Sequence, residues 1–148
     1  MVLQSTMYQK QNIYISAAPW TMHEFFAGSG LVAYGLKGMF APVWANDISE
    51  QKAAVYEANF GCNQFILDDI KNIKGSALPF AHLSWASFPC QDLSLAGSIG
   101  GIYASRSGLV WEWLRVLDEM DNKPKILLLE NVAGLLSTNG GDNYRVLH

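Results

Sequence analysis

Charge is scarce in this chain. Of its 148 residues only 16% are charged and half are hydrophobic, a balance that excludes a disordered tail and a strongly charged nucleic-acid module. The ten Lys and Arg residues stand singly, and the net charge is −3. No basic face of the kind a duplex-binding domain presents is therefore legible, and phosphate contacts would have to come mostly from another segment. Cysteine is nearly absent: Cys62 and Cys90 are the only two, each expected after a different strand, with neither metal-ligand spacing nor a disulfide pattern. That usage points to a reducing, intracellular setting and offers no metal site. No apolar stretch reaches the ~18 residues a membrane helix requires, and residues 1–22 lack a basic start followed by a long apolar run. A cytoplasmic chain without a membrane association is expected. At this length a single domain removes roughly 70% of its unfolded surface from water.

What is present centres on Ser87-Phe88-Pro89-Cys90-Gln91-Asp92-Leu93-Ser94. Residues 82–88 favour a strand, and Pro89 ends it because proline cannot donate to a ladder. A thiol just beyond a strand's carboxyl end occupies the place where open α/β sheets bind ligands. The segment after it, with Ser94, Gly97, Ser98, Gly100, Gly101, Ser105, Ser107 and Gly108, has the composition of a loop able to close over a substrate. Free cysteine is also a common inert core residue, and the Pro-Cys step taken alone favours that plainer reading.

Residues 1–22 read as an arm and 23–148 as the folded unit. Residues 23–27 form a short strand that runs into Gly28-Ser29-Gly30, and Leu31, Val32, Leu36 and Met39 follow at helical intervals. Such a strand, glycine turn and helix start can cradle a nucleotide-like group, although glycine turns often exist only to bend the chain tightly. A second strand over 41–45 ends in Asn46-Asp47, where a carboxylate suits two ribose hydroxyls. Asp47 with Glu50 is also a capping-box pattern for a helix over 49–60. A third strand, 65–67, leads to Asp68-Asp69-Ile70, where an acid can meet an exocyclic amine or serve as ordinary loop chemistry. Leu109, Trp113, Val116, Leu117 and Met120 mark an amphipathic helix over 108–120. Ile126-Leu127-Leu128-Leu129 reads as a strand buried on both faces, ending in Glu130-Asn131. A short helix, a Gly140-Gly141 turn and the start of another helix follow.

Alternating strands and helices imply an α/β fold with a doubly wound, mostly parallel sheet, whose switch point lies between the first and fourth strands. Gly28-Ser29-Gly30 and Pro89-Cys90 would then share one crevice, with Glu130 on the next strand.

Phe26-Ala27-Gly28-Ser29-Gly30, Asn46-Asp47, Asp69-Ile70, Phe88-Pro89-Cys90-Gln91 and Glu130-Asn131-Val132, in this order, resemble the motifs of C5-cytosine DNA methyltransferases. The resemblance implies a Rossmann-like methyltransferase fold with S-adenosylmethionine as cofactor. It places Phe26, Ser29, Gly30, Asp47, Ile48, Asp69, Ile70, Pro89 and Leu109 at cofactor positions, Cys90 as nucleophile and Glu130 as the group that neutralises the ring. Cytosine C5 is a weak nucleophile, so a thiolate adds at C6 and the resulting enamine takes the methyl group. Duplex DNA with the cytosine flipped out is the implied substrate, with Gln91, Ser94 and Arg106 as candidate DNA contacts.

Leu31 stands where the family usually has a second glycine, and Glu24 where it usually has Asp. The family's later arginines, target-recognition domain and last strands have no counterpart here, so a C-terminally truncated catalytic portion is expected, completed by a further part or a complementary subunit. The competing readings are a non-catalytic fragment that binds S-adenosylmethionine or a partner, a tRNA-directed enzyme with the same cysteine chemistry, and a nicotinamide dehydrogenase. The last leaves Pro89-Cys90-Gln91 unexplained. The DNA sequence read, and any accompanying restriction enzyme of a restriction-modification system, lie beyond these residues.

Overall fold

The structure, a computed structural model, describes residues 20–89, 108–137 and 141–147. Five parallel strands form one sheet: β1 (Trp20–Phe25), β2 (Phe40–Asp47), β3 (Phe65–Leu67), β4 (Leu83–Ala86) and β5 (Ile126–Leu129), in the order β3-β2-β1-β4-β5. The chain moves outward from β1 to β3, returns to β4 beside β1, and moves outward again. The gap between the starts of these two runs is the switch point expected above. β1 takes in Trp20 to Met22, which the sequence had placed in the arm.

The register decides what emerges at the carboxyl edge. Phe25 pairs with Asn46 on one side and Ala86 on the other, and Ala86 pairs with Leu129. The residues that follow this row therefore leave the sheet side by side. Pro42 lies within β2 rather than at its start, and the β1–β2 register shifts beside it, where the ladder lacks a donor.

Helices cover both faces. α2 (Glu50–Phe60) packs Ala53 and Tyr56 with Ala27, Ala45 and Phe65 on one face. α3 (Leu109–Asp118) buries Val110, Trp113, Val116 and Leu117 on the other, against Phe25, Trp44, Ala86 and Phe88. Trp113 Nε1–H donates to the buried Ser84 hydroxyl at 3.0 Å, which joins α3 to β4. His23 is buried in β1 and donates from Nε2 to the Pro79 carbonyl at 2.7 Å; burial lowers its pKa and keeps it neutral.

Three expectations are corrected. The first helix, α1 (Leu31–Gly35), is short and buries Ala33, whereas Leu31 is 80% and Met39 54% exposed. Glu24 explains the orientation, because its Oε1 accepts the Ala33 N–H at 3.3 Å and turns that face inward. β5 is not buried on both faces: Ile126 and Leu127 are half exposed, because among the described residues β5 is the edge of the sheet. Cys62 is exposed and follows α2 rather than a strand. α4 (Gly134–Ser137) and α5 (Asp142–Leu147) close the described chain. Among the described residues no helix is long and apolar enough to cross a membrane.

Val116 is fully buried and Leu128 lies on the open edge. Val116→Ala is expected to cost about 1–3 kcal/mol, and Leu128→Lys to stay within about 0.5 kcal/mol while reducing self-association. Urea unfolding and sedimentation velocity check the two outcomes.

Candidate functional site

Past the row of paired strand ends, the chain opens into two adjoining cavities. The first, of about 300 Å³, is walled by Phe26 after β1, by Asp47 to Ser49 after β2, by Asp68 to Ile70 after β3, by Ser87 and Pro89 after β4, and by Leu109 at the start of α3. The second, of about 470 Å³, lies over the glycine turn and reaches Trp85, Ser87 and Glu130. Phe26, Lys52 and Ser87 line both.

The turn between β1 and α1 is held in a conformation most residues avoid. Phe26 has φ 56°, Gly28 56° and Gly30 83°. A non-glycine residue in the left-handed region is uncommon and tends to mark a functional site. Gly30 cannot carry a side chain: a Cβ there would stand 2.5 Å from the Phe60 ring and 2.9 Å from that of Tyr56. It sets the packing of the turn onto α2.

Asp47 fixes the turn from the opposite strand. Its Oδ2 accepts the Gly28 N–H at 2.9 Å and its Oδ1 the Ser49 N–H at 2.9 Å. Both oxygens are oriented, and each keeps a lone pair for a ligand hydroxyl. The capping-box expectation fails here, because Ser49 is the N-cap of α2 and its hydroxyl accepts the Lys52 N–H at 3.5 Å. Asp69 Oδ1 accepts the Lys71 N–H at 3.0 Å, which aims the carboxyl group from the cavity wall. Ile48 is 68% exposed at the first cavity, a free apolar surface for a flat ring.

Pro89 and Glu130 follow different strands, β4 and β5, whose exits are tied together. The Glu130 N–H donates to the Ala86 carbonyl at 2.9 Å, and Asn131 Nδ2 donates to the Phe88 carbonyl at 3.1 Å. The exit of β4 and the exit of β5 thus form one unit. Glu130 is exposed at this edge, so its placement carries no burial cost.

Seven of the residues assigned to the cofactor surround the first cavity: Phe26, Asp47, Ile48, Asp69, Ile70, Pro89 and Leu109. Ser29 lines the second, and Gly30 is buried beneath the turn. Cys90, Gln91, Ser94 and Arg106 lie outside the described residues, as do most of the proposed arm and the closing loop. Sequence reasoning missed Lys52 and Ser87. Lys52 projects from the first turn of α2 and its stem passes Gly28, so a Cβ there would lie 3.9 Å from Lys52 Cδ. Ser87 Oγ accepts the Trp85 indole N–H at 2.8 Å, which leaves its own proton for the cavities. The position of Ser87 just past a strand end was the only available signal.

Residues 20–147 match the family model for C-5 cytosine-specific DNA methylase. The chain belongs to this family. It is 36% identical over 126 residues to the Type II methyltransferase M.Bsp6I of Bacillus sp. strain RFL6, covering 83% of this chain and 39% of that protein. Against M.BsuFI of Bacillus subtilis it is 33% identical over 141 residues, covering 95% of this chain and 33% of the relative. The chain thus spans between a third and two-fifths of these curated relatives. Among solved structures, S. pombe Dnmt2 methyltransferase superposes with a TM-score of 0.66 at 26% identity, over 86% of this chain and 41% of that one. A putative DNA modification methyltransferase encoded within an E. coli prophage gives the same TM-score at 18% identity, over 86% and 36%, a likeness of fold alone.

Glu24 is buried beneath the turn and lines the second cavity. Burial pushes its carboxyl up to about 7, with the Ala33 and Val32 N–H groups drawing it partly back. The buried Tyr56 hydroxyl faces this carboxyl and also draws it down, while Oε2 makes no fully formed hydrogen bond among the described residues. The folded chain therefore binds this proton more tightly than the unfolded chain, whose carboxyl titrates at the ordinary 4.5. The contribution of this group to stability is fully present below that value and is lost as pH rises to about 7, by about 3 kcal/mol. Glu24→Gln is expected to lack this loss, so its stability relative to wild type should rise between pH 4.5 and 8 in urea unfolding.

Proposed function

We propose that this chain carries the cofactor-binding and nucleophile-bearing part of an enzyme that transfers a methyl group from S-adenosylmethionine to C5 of cytosine in DNA. The observation that carries the reading is the shared edge, with the first cavity, Pro89 leading into Cys90, and Glu130 all at one switch point.

The residues fit the cofactor. Asp47, fixed by two backbone N–H groups, accepts the two ribose hydroxyls. Asp69 accepts the adenine amine while Ile48, Ile70, Pro89 and Leu109 supply apolar walls for its ring. Phe26 and Ser29 flank the methionine end, and Gly30 holds the turn's shape. When bound, the cofactor supplies an electrophilic methyl group.

The Cys90 thiolate forms a bond to C6 of the flipped cytosine, and electron density moves to C5. Glu130 holds a proton at N3 and stabilises the charge that develops on the ring. After methyl transfer, loss of the C5 proton breaks the Cys90–C6 bond. Gln91, Ser94 and Arg106 contact the DNA in this reading.

The chain acts together with a further part, in a longer polypeptide or a complementary subunit. The share of the relatives that it spans supports this, as does the outer edge of β5, which no strand pairs among the described residues. Membership of the C5-cytosine family leaves the nicotinamide alternative without support.

Calorimetric titration with S-adenosylmethionine should show binding, weakened about tenfold or more by Asp47→Ala through loss of charge-assisted hydrogen bonds. Incubation with 5-fluorocytosine DNA, with the missing portion of a relative supplied in trans, should give an adduct detected by mass and absent in Cys90→Ala. Binding without an adduct under those conditions would make the chain a non-catalytic cofactor-binding unit.

A further inference from the structure

The wall that receives the adenine in the proposed function is built on one of the shortest elements of the described fold. Ile70–Asn72 is a one-turn 3₁₀ helix, with Ile70 buried and Asp69 at its N-cap. One turn has little stability of its own, because nucleation fixes several dihedral angles for a single hydrogen bond. Its shape must be imposed from outside.

Arg115, on the exposed flank of α3, imposes it. Its Nη2 donates to the Ile70 and Ile73 carbonyls, each at 3.1 Å, and its Nη1 also reaches Ile73 at 3.1 Å. Ile73 is the C-cap, whose carbonyl the helix end leaves without a partner, whereas the Ile70 carbonyl already accepts the Ile73 N–H and takes the arginine on its second lone pair. The guanidinium is in turn held on both sides, by Glu112 at 2.8 Å and Glu119 at 2.6 Å. The other oxygen of Glu119 accepts the Gly75 N–H at 2.9 Å, which grips the next one-turn helix, Gly75–Ala77. Gly75 fits so closely that a Cβ would stand 2.0 Å from the Val116 carbonyl oxygen. The planar five-donor fork suits this set of acceptors, and a lysine ammonium does not reproduce it.

We infer that Arg115 is a positioning residue for adenine recognition: without touching the ligand, it caps the end of the one-turn helix and so holds Asp69 and Ile70 in place at the cavity. The inference rests on the cofactor reading above. Because the Arg115 ion pairs are partly exposed, their direct share of global stability is small. Loss of the fork therefore acts on the wall more than on the fold.

The test is calorimetric titration of the full chain with S-adenosylhomocysteine and with S-inosylhomocysteine, which carries an oxo group where adenine carries its amine. Asp69 accepts from the amine and repels the oxo group, so wild type should prefer the adenine ligand by about tenfold or more. Arg115→Ala and Arg115→Lys should reduce that preference to about threefold or less, while thermal melting stays close to wild type. Glu119→Gln, which keeps the side-chain size, should move the ratio in the same direction by a smaller factor and decides the matter if Arg115→Ala does not fold. An unchanged preference in Arg115→Lys and Glu119→Gln overturns the inference, as does a wild type that binds both ligands equally. A wild type that binds neither overturns the cofactor reading and the inference with it.

Discussion

Parallel pairing brings Phe25, Asn46, Ala86 and Leu129 into one row. A ladder of this kind has little tolerance for slippage, because a shift of one residue would turn Phe25, Trp44 and Ala86 away from α3 and expose that core. The core thus fixes the register, and the register brings Phe26, Asp47, Ser87 and Glu130 out of the sheet at the same edge. A site assembled from four strand exits needs no long-range tether of its own. It inherits its geometry from hydrophobic packing about one residue further down each strand.

Local strain concentrates where this edge meets the turn. Phe26 lies in the left-handed region, and Glu24 is a carboxyl group buried against the Tyr56 hydroxyl with no ion-pair partner among the described residues. Each breaks a rule that a purely structural turn would keep. Natural proteins depart from local consistency mainly at functional sites, and these departures crowd around the two cavities.

Much of the fold was legible because it rests on local pattern. The glycine turn after β1, the apolar face of α3 and the Asp-containing exits of β2 and β3 all follow from periodicity and punctuation. The α1 pattern misled, because Leu31 and Met39 are apolar at helical spacing and yet exposed, while Glu24 turns Ala33 inward. The burial of β5 misled as well, since an apolar run carries no sign of whether a neighbour covers it. Asp47 satisfied two patterns at once, and only the distances to Gly28 and Ser49 separate a brace for the turn from a helix cap. Ser87 left only its position beyond a strand end, and Lys52 and Arg115 left no trace, because their roles depend on contacts between elements; Arg115 reaches a carbonyl 45 residues away. Interactions at that separation have no period to detect.

The bond from the Trp85 indole to Ser87 places a fluorophore in the wall of the second cavity. Indole emission responds to the polarity around the ring and to what its N–H donates to. A molecule settling against Ser87 alters both. Trp44 and Trp113 are nearly sealed in the core and shielded from such a change. Trp20, half exposed at the start of β1, and Trp111, partly buried on α3, emit as a background to it. Trp85 is the indole in the wall of the second cavity, a probe that needs no label.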